Sequence, residues 1–226
     1  MERHFDEELN SLKEQLLMMG GLVEAMVNQA IKALVVRDAS LVEEVIKKEE
    51  EVNKLHLNID ELCLQLIALR QPLAIDLRFI LASSRIISDM ERMGDLAINI
   101  TENTLELLKV PPLKPLIDLP RMAEITQKMV KDCLEAFIRK DTLLAQTVID
   151  KDDEVDGLKD QIFRELLTYM LADAGAIKRA LELILVSRHL ERIADHATNV
   201  AEDVIFLVKG KDIRHPRVYE ERSHTA

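Results

Sequence analysis

The chain of 226 residues is long enough for one large domain or for two domains of about 100 residues each. Hydrophobic residues make up 48% of it and aromatic residues only 3%, with six Gly and six Pro, a composition that favours long helices over sheets. The formal net charge of −11 argues against nucleic acids and anionic membrane surfaces as direct partners, because both are bound mainly through basic residues.

The sequence shows no sign of an oxidising compartment or of a membrane anchor. Cys63 and Cys133 stand far apart among apolar neighbours, so we expect two buried free thiols. Residues 1–8 contain no apolar signal core, and no apolar run comes near the roughly 18 residues that a membrane span needs. We therefore expect a cytoplasmic protein that approaches a membrane only through its partners.

Apolar residues recur at alternating steps of three and four, which is the period of helices that pack in bundles. The spacing and the helix breakers predict six helices, at 4–36, 40–70, 73–108, 117–139, 142–171 and 175–209. Ser40 or Asp141 is suited to cap the helix that follows it, Pro72 to begin one, and Gly210 to end the last. The Met-Met-Gly-Gly stretch at 18–21 indicates either a point of close helix packing or a bend.

The two halves of the chain repeat one another. Residues 33–38 match 136–141 at an offset of 103, and residues 91–95 match 191–195 at an offset of 100. We therefore predict an all-α fold of two tandem, pseudo-symmetric three-helix bundles whose short turns make sequential helices antiparallel. The predicted domains are 1–110 and 117–210, with a Pro-rich linker at 111–116 and a polar tail at 211–226.

Each half places polar ligand-type residues four positions apart on two successive helices, so that each pair shares one helix face. The third helix carries Glu91 and Asp95, and the sixth carries Glu191 and Asp195. Carboxylate and amide oxygens are hard ligands that suit Mg, Mn, Ca or Fe. The candidate metal ligands form a first acidic cluster of Glu49, Asn53, Glu91, Asp95 and Asn99, and a second acidic cluster of Asp152, Asp156, Glu191, Asp195 and Asn199.

The same pattern is also typical of a solvent-exposed helix face on which acids pair with basic side chains and no metal is bound. On this alternative Arg92 pairs with Asp95, and Arg188 or Arg192 pairs with Glu191 and Asp195. His189 and His196 lie near those acids, but the first half has no matching histidines. We therefore expect both histidines to face solvent.

Five short motifs stand out along the first half of the chain. They are Phe-Asp-Glu-Glu-Leu at 5–9, Met-Gly at 19–20, Arg-Gln-Pro at 70–72, Asp-Leu-Arg at 76–78 and Glu-Arg-Met-Gly-Asp at 91–95. They resemble motifs of the PhoU family of bacterial phosphate-uptake regulators, and the likeness spans essentially the whole chain. The second half carries Glu-Arg-Ile-Ala-Asp at 191–195, with Ala where many members have Gly, and residues 208–215 are similar to the family's end.

The resemblance implies two similar three-helix bundles side by side and a homodimer or larger oligomer. It implies a cytosolic protein that acts between the ATPase of the phosphate-specific ABC transporter and a sensor histidine kinase, and that represses uptake and the starvation response when phosphate is plentiful. Some members carry iron, zinc or other metals on Glu/Asp-x-x-x-Asp motifs, and others carry none. On this chain those motifs fall in the two acidic clusters, where Asn53 departs from the expected Asp.

Three functional hypotheses follow. The favoured one is a non-catalytic regulatory adaptor, and the alternatives are a carboxylate-bridged metal enzyme and a metal-free helical scaffold. The enzyme ranks lower because the Glu-x-x-His pattern of four-helix di-iron enzymes occurs only at Glu221 and His224. The sequence has no Gly-rich phosphate-binding loop, so we do not predict direct binding of phosphate.

Overall fold

The computed structural model describes residues 2–210, with side chains from residue 5 onward, and this part of the chain folds into six long helices. The helices are α1 (Glu2–Val36), α2 (Ser40–Arg70), α3 (Ala74–Leu108), α4 (Asp118–Arg139), α5 (Thr142–Ala172) and α6 (Ile177–Lys209). The predicted all-α fold is confirmed. α6 begins later than predicted because a 3₁₀ turn, Ala174–Ala176, precedes it. The tail predicted at 211–226 lies outside the described residues.

Side chains and special backbone conformations satisfy the polar groups that helix ends leave unpaired. Asp141 caps α5, since its Oδ1 accepts hydrogen bonds from the backbone N–H groups two and three residues on, at 2.9 and 3.1 Å. Ser40 does not cap α2, because its hydroxyl and its N–H both donate to Asp38 Oδ1, at 2.7 and 2.9 Å. Gly210 ends α6 with φ 67°, as predicted.

The C-terminal end of α3 is capped by Arg37, which follows α1. Its guanidinium donates hydrogen bonds to the carbonyl oxygens of Leu107, Leu108 and Val110, at 3.1, 3.1 and 2.6 Å. A cation is favourable there because the free carbonyl groups of a helix C-terminus carry partial negative charge. Arg37 therefore ties the α1–α2 turn to the start of the linker between the two halves.

Each half forms a three-helix bundle, and matched positions of the two halves have matched burial. The buried seam of α6 consists of Leu183, Val186, Leu190, Ile193, Ala197, Val200, Val204 and Leu207. A seam of α3 is buried at Ile80, Ser83, Ile87, Met90, Gly94, Ala97, Thr101 and Thr104. At the offset of 100 the corresponding residues of α6 are buried too: Ala180, Leu183, Ser187, Leu190, Ala194, Ala197, Ala201 and Val204. Cys63 and Cys133 are buried free thiols, as predicted. The duplication read from the sequence is therefore a duplication of structure.

The two bundles pack against each other through α3 on α6 and α1 on α4, and one hydrophobic core runs through both. Phe79 of α3 stacks on Phe137 of α4, with ring centroids 4.9 Å apart. At Gly20 the helices α1 and α4 approach so closely that a Cβ would stand 1.9 Å from Leu134 Cδ1. Within residues 18–21, Gly20 is therefore a point of close packing inside an unbroken α1, the first of the two predicted alternatives.

α1 corrects one expectation drawn from the sequence. The segment Phe5–Val36 is long and apolar enough to cross a membrane by length and composition, with a mean hydropathy of 1.3. Half of that apolar window is buried inside the protein. The apolar character of α1 has a structural cause, since this helix packs against helices of both bundles and must be apolar on more than one face.

Candidate functional site

The second acidic cluster is assembled from two neighbouring helices, with a lysine between them. Lys159 of α5 places its Nζ 2.9 Å from Asp156 Oδ1 and 3.0 Å from Glu191 Oε1 of α6. The side chains of Lys159 and Glu191 are 25% and 22% exposed, so this bridge is partly shielded from solvent. The hydrogen bond to Asp156, followed by that to Glu191, raises the pKa of Lys159. The second acidic cluster therefore contains a positively charged side chain, that of Lys159.

The remaining carboxylates of the cluster lie close enough to perturb one another. Burial, followed by the negative charges of Asp195 and Asp156, raises the pKa of Asp152 to about 6. Burial and the charge of Glu191 likewise raise the pKa of Asp195. All four carboxylates thus lie within electrostatic reach of each other. The single positive charge of Lys159 offsets only part of their repulsion.

We expect Asp152→Asn to stabilise the metal-free protein at pH 7.5, raising the free energy of unfolding by about 1–2 kcal/mol after allowance for partial exposure. The folded pKa of Asp152, about 6, lies above the usual 3.8. The folded protein therefore holds this proton more tightly than the unfolded chain does. The resulting contribution to the free energy of unfolding is full at low pH and is lost as the pH rises through about 6.

Urea denaturation in EDTA at two pH values measures this effect. The gain from Asp152→Asn should shrink towards zero as the pH falls to about 4, where both states hold the proton to a similar extent. Asp150→Asn is the matched control, because Asp150 is an exposed acid of the same helix that bonds only Gln146 through a side-chain contact of 2.9 Å. A gain of the same size for both variants would show that net charge alone, and not the cluster, is responsible.

The first acidic cluster occupies the equivalent place between α2 and α3. A Cβ on Gly94 would stand 3.6 Å from Val52 Cγ1, so the α2 segment that carries Asn53 packs against the middle of α3. Within α2 the amide nitrogen of Asn53 donates a hydrogen bond of 2.5 Å to Glu49 Oε1. At the offset of 103, the residue that matches Lys159 is His56. The first cluster therefore lacks the lysine that bridges the second.

The candidate ligands occupy equivalent places in the two halves. Asp95 and Asp195 are both exposed, whereas Glu91 and Glu191 are both half-buried. The candidates Glu49, Asn53, Asn99, Asp152 and Asn199 are also half-buried, and Asp156 is exposed.

Within residues 5–210, no group of three or more His, Cys, Asp and Glu side chains is arranged so that it could hold a metal ion. The second cluster does not fit a metal ion, because Asp156 and Glu191 direct their oxygens at the Lys159 ammonium. In the first cluster Glu49 accepts a hydrogen bond from Asn53, and His56 stands at the position that Lys159 holds in the second. No observation tests the ten residues directly as metal ligands, so the assignment stays a prediction, and Lys159 is an argument against it in the second cluster.

His189 and His196 do not face solvent, contrary to the expectation from sequence. His196 Nδ1 lies 2.8 Å from Asp89 Oδ1 of α3, and the two side chains are only 12% and 18% exposed. Burial, followed by the charges of Arg192 and Arg188, lowers the pKa of His189. For His196 the reason is that α3 of the first bundle packs on this part of α6, which the pattern of a single helix does not reveal.

Lys159 is the residue of this site that reasoning from sequence missed. It lies three residues after Asp156, a spacing that puts both on one helix face, and this was the available signal. Its contact with Glu191 depends on how α5 and α6 are aligned. Arg188 and Arg192, the two arginines expected to pair with the sixth-helix acids, are both exposed. Among the described side chains, Glu191 pairs with Lys159 instead.

Comparison with known proteins identifies relatives along the whole described fold. The model of the PhoU domain family matches the chain twice, over residues 16–104 and 119–204. A phosphate-specific transport system accessory protein PhoU homologue of Aquifex aeolicus is 47% identical over 95% of this chain and 97% of its own length. The phosphate-specific transport system accessory protein PhoU of Escherichia coli is 37% identical over 93% of this chain and 88% of its own.

Two crystal structures have the same fold. PhoU from Pseudomonas aeruginosa superposes with a TM-score of 0.88 at 41% identity, covering 92% of this chain and 100% of the other. The phosphate transport system regulatory protein PhoU from Streptococcus pneumoniae superposes with a TM-score of 0.84 at 28% identity, covering 92% and 99%. The two matches to the domain model fall on the two bundles described above.

Proposed function

Because this chain belongs to the PhoU family, we propose that it is a regulatory accessory protein of the phosphate-specific transport system. It restrains phosphate uptake and represses the phosphate-starvation response when phosphate is plentiful. The observation that carries the proposal is coverage, since both halves match the family domain and a relative named for this role aligns with 95% of the chain. A non-catalytic role agrees with the names of these relatives, and the Glu221 and His224 pattern considered for an enzyme lies outside the described residues.

The regulation proceeds by protein contacts in the cytoplasm, with the transporter ATPase and the sensor histidine kinase as partners and a homodimer as the active form. The net charge of −11 supports basic partner surfaces. Leu57 and Leu64 on the outer helix α2 are 69% and 63% exposed and lie two turns apart on one face. Exposed apolar side chains at this spacing support a contact with another protein.

The metal that the family resemblance implies, iron or zinc, is proposed here for the first acidic cluster alone. Glu49, Glu91 and Asp95 would supply carboxylates and Asn53 and Asn99 amide oxygens, although among the described residues the carboxylates are not gathered around one point. An ion held by these residues would connect α2 to α3 and offset their like charges. In this role the metal is a structural or modulatory element of an adaptor.

The proposal is tested in a bacterium whose own gene for this family has been deleted and which carries a reporter under a phosphate-starvation promoter. We expect this chain to return the reporter to its low level in high phosphate. In a pull-down, the purified chain should retain the transporter ATPase and the cytosolic domains of the kinase. A destabilised variant such as Phe137→Ala controls for the need for a folded chain. A reporter that stays high despite folded protein, together with no binding to either partner, would contradict the proposal.

A further inference from the structure

The two halves of the protein have side chains of different charge at one pair of equivalent positions. Lys159 of α5 corresponds to His56 of α2 at the offset of 103. The Lys159 ammonium lies 2.9 Å from Asp156, 3.0 Å from Glu191 and 4.0 Å from Asp160. It therefore stands between acids of α5 and α6, in contact with one candidate ligand of the second acidic cluster on each helix.

The ammonium occupies one carboxylate oxygen on each of two candidate metal ligands, Asp156 and Glu191. Mg²⁺, Mn²⁺ and Ca²⁺ take six or more oxygen ligands at 2.0–2.6 Å, whereas Lys donates its N–H groups to Asp156 and Glu191 from about 3 Å. A divalent ion on the same oxygens would be in close repulsive contact with Lys159. Since the lysine side chain is only 25% exposed and is packed between α5 and α6, such an ion would have to displace it.

We propose that Lys159 is the resident cation of the second acidic cluster, so that this half of the protein is held together by an internal ion pair and excludes divalent metal ions. The two halves are then similar in fold and unequal in metal binding, with His56 leaving the first cluster without such a counter-ion. This inference goes beyond the regulatory role and is tested on the purified protein alone.

Mn²⁺ binding to the EDTA-treated full chain, followed by electron paramagnetic resonance of the free ion, tests the proposal. The variants are Lys159→Met, which keeps the length of the side chain and removes its charge, and Lys159→Arg, which keeps the charge. Lys151→Met is the matched control, because Lys151 is an exposed lysine of the same helix that pairs only with Glu154, at 2.9 Å. Thermal unfolding in EDTA and with added Mn²⁺ gives a second measurement.

We expect Lys159→Met to bind one Mn²⁺ per chain more than the wild type, with at least a tenfold gain in affinity that a further Asp195→Asn change removes. Its melting temperature should fall in EDTA and recover with Mn²⁺, while Lys159→Arg and Lys151→Met bind as the wild type does. No gain by a folded Lys159→Met would overturn the proposal. Should that variant not fold, Asp195→Asn in the wild-type background decides, since a loss of bound Mn²⁺ there overturns the proposal and unchanged binding supports it.

Discussion

Replacing Phe137 with alanine is expected to lower the free energy of unfolding by about 3–5 kcal/mol, as measured by urea denaturation followed by circular dichroism. Phe137 is fully buried on α4, and its ring stacks on Phe79 of α3 with the planes 9° apart. The change removes an aromatic pair that joins the two bundles and leaves a cavity among residues of both. Because this contact lies between the halves, its loss weakens their association as well as the core of the second.

Phe163→Ala is the matched control for this truncation. Phe163 lies on α5 with 48% of its surface exposed, so we expect its loss to cost less than about 1 kcal/mol. The shape of the transition is a second measure, because the core that runs through both bundles predicts one cooperative unfolding step. Two separate transitions, of which Phe137→Ala shifts only one, would show that the bundles unfold as independent domains.

Adjacent glycines of α1 are expected to respond in opposite directions to the same substitution. Gly20→Ala should destabilise the protein by about 1–3 kcal/mol, because the new Cβ would stand 1.9 Å from Leu134 Cδ1 and Leu134 is only 4% exposed. Gly21→Ala should stabilise it by about 0.5–1 kcal/mol, because no atom lies within 4 Å of its new Cβ and Ala is the better helix former.

The melting temperatures of the two variants measure this difference. Leu134→Val combined with Gly20→Ala extends the test, since a shorter side chain at 134 should recover part of the loss if the clash is its cause. Equal melting temperatures for Gly20→Ala and Gly21→Ala would mean that α1 and α4 do not approach closely at Gly20 in solution.

The helical fold and the duplication were readable from the sequence because both are local properties. Apolar residues that recur every three or four positions lie on one face of a helix. In α3 and α6 the residues at this spacing are buried, as predicted. The turn residues Asp141 and Gly210 act where they were expected to act. Ser40 was a less reliable guide, because an acid two residues earlier, Asp38, competes for the same place.

Only part of the candidate site could be predicted from the sequence. The spacing of Glu191 and Asp195 on one helix, and of Asp152 and Asp156 on the other, predicts two acidic faces, and the structure brings these faces together. The identity of their counter-ion did not follow from sequence, because Lys159 reaches Glu191 only through the alignment of α5 with α6.

The sequence alone determined the helices, their seams, the repetition of the acidic pairs and the resemblance to a family. Tertiary structure decided which faces meet. His196 is covered because α3 packs on α6, a side chain at Gly20 would meet Leu134 of α4, and Lys159 pairs with acids of two helices. The physical reason is that periodicity fixes the direction of a side chain relative to its own helix, whereas its neighbours depend on how helices distant in sequence pack to fill one shared core.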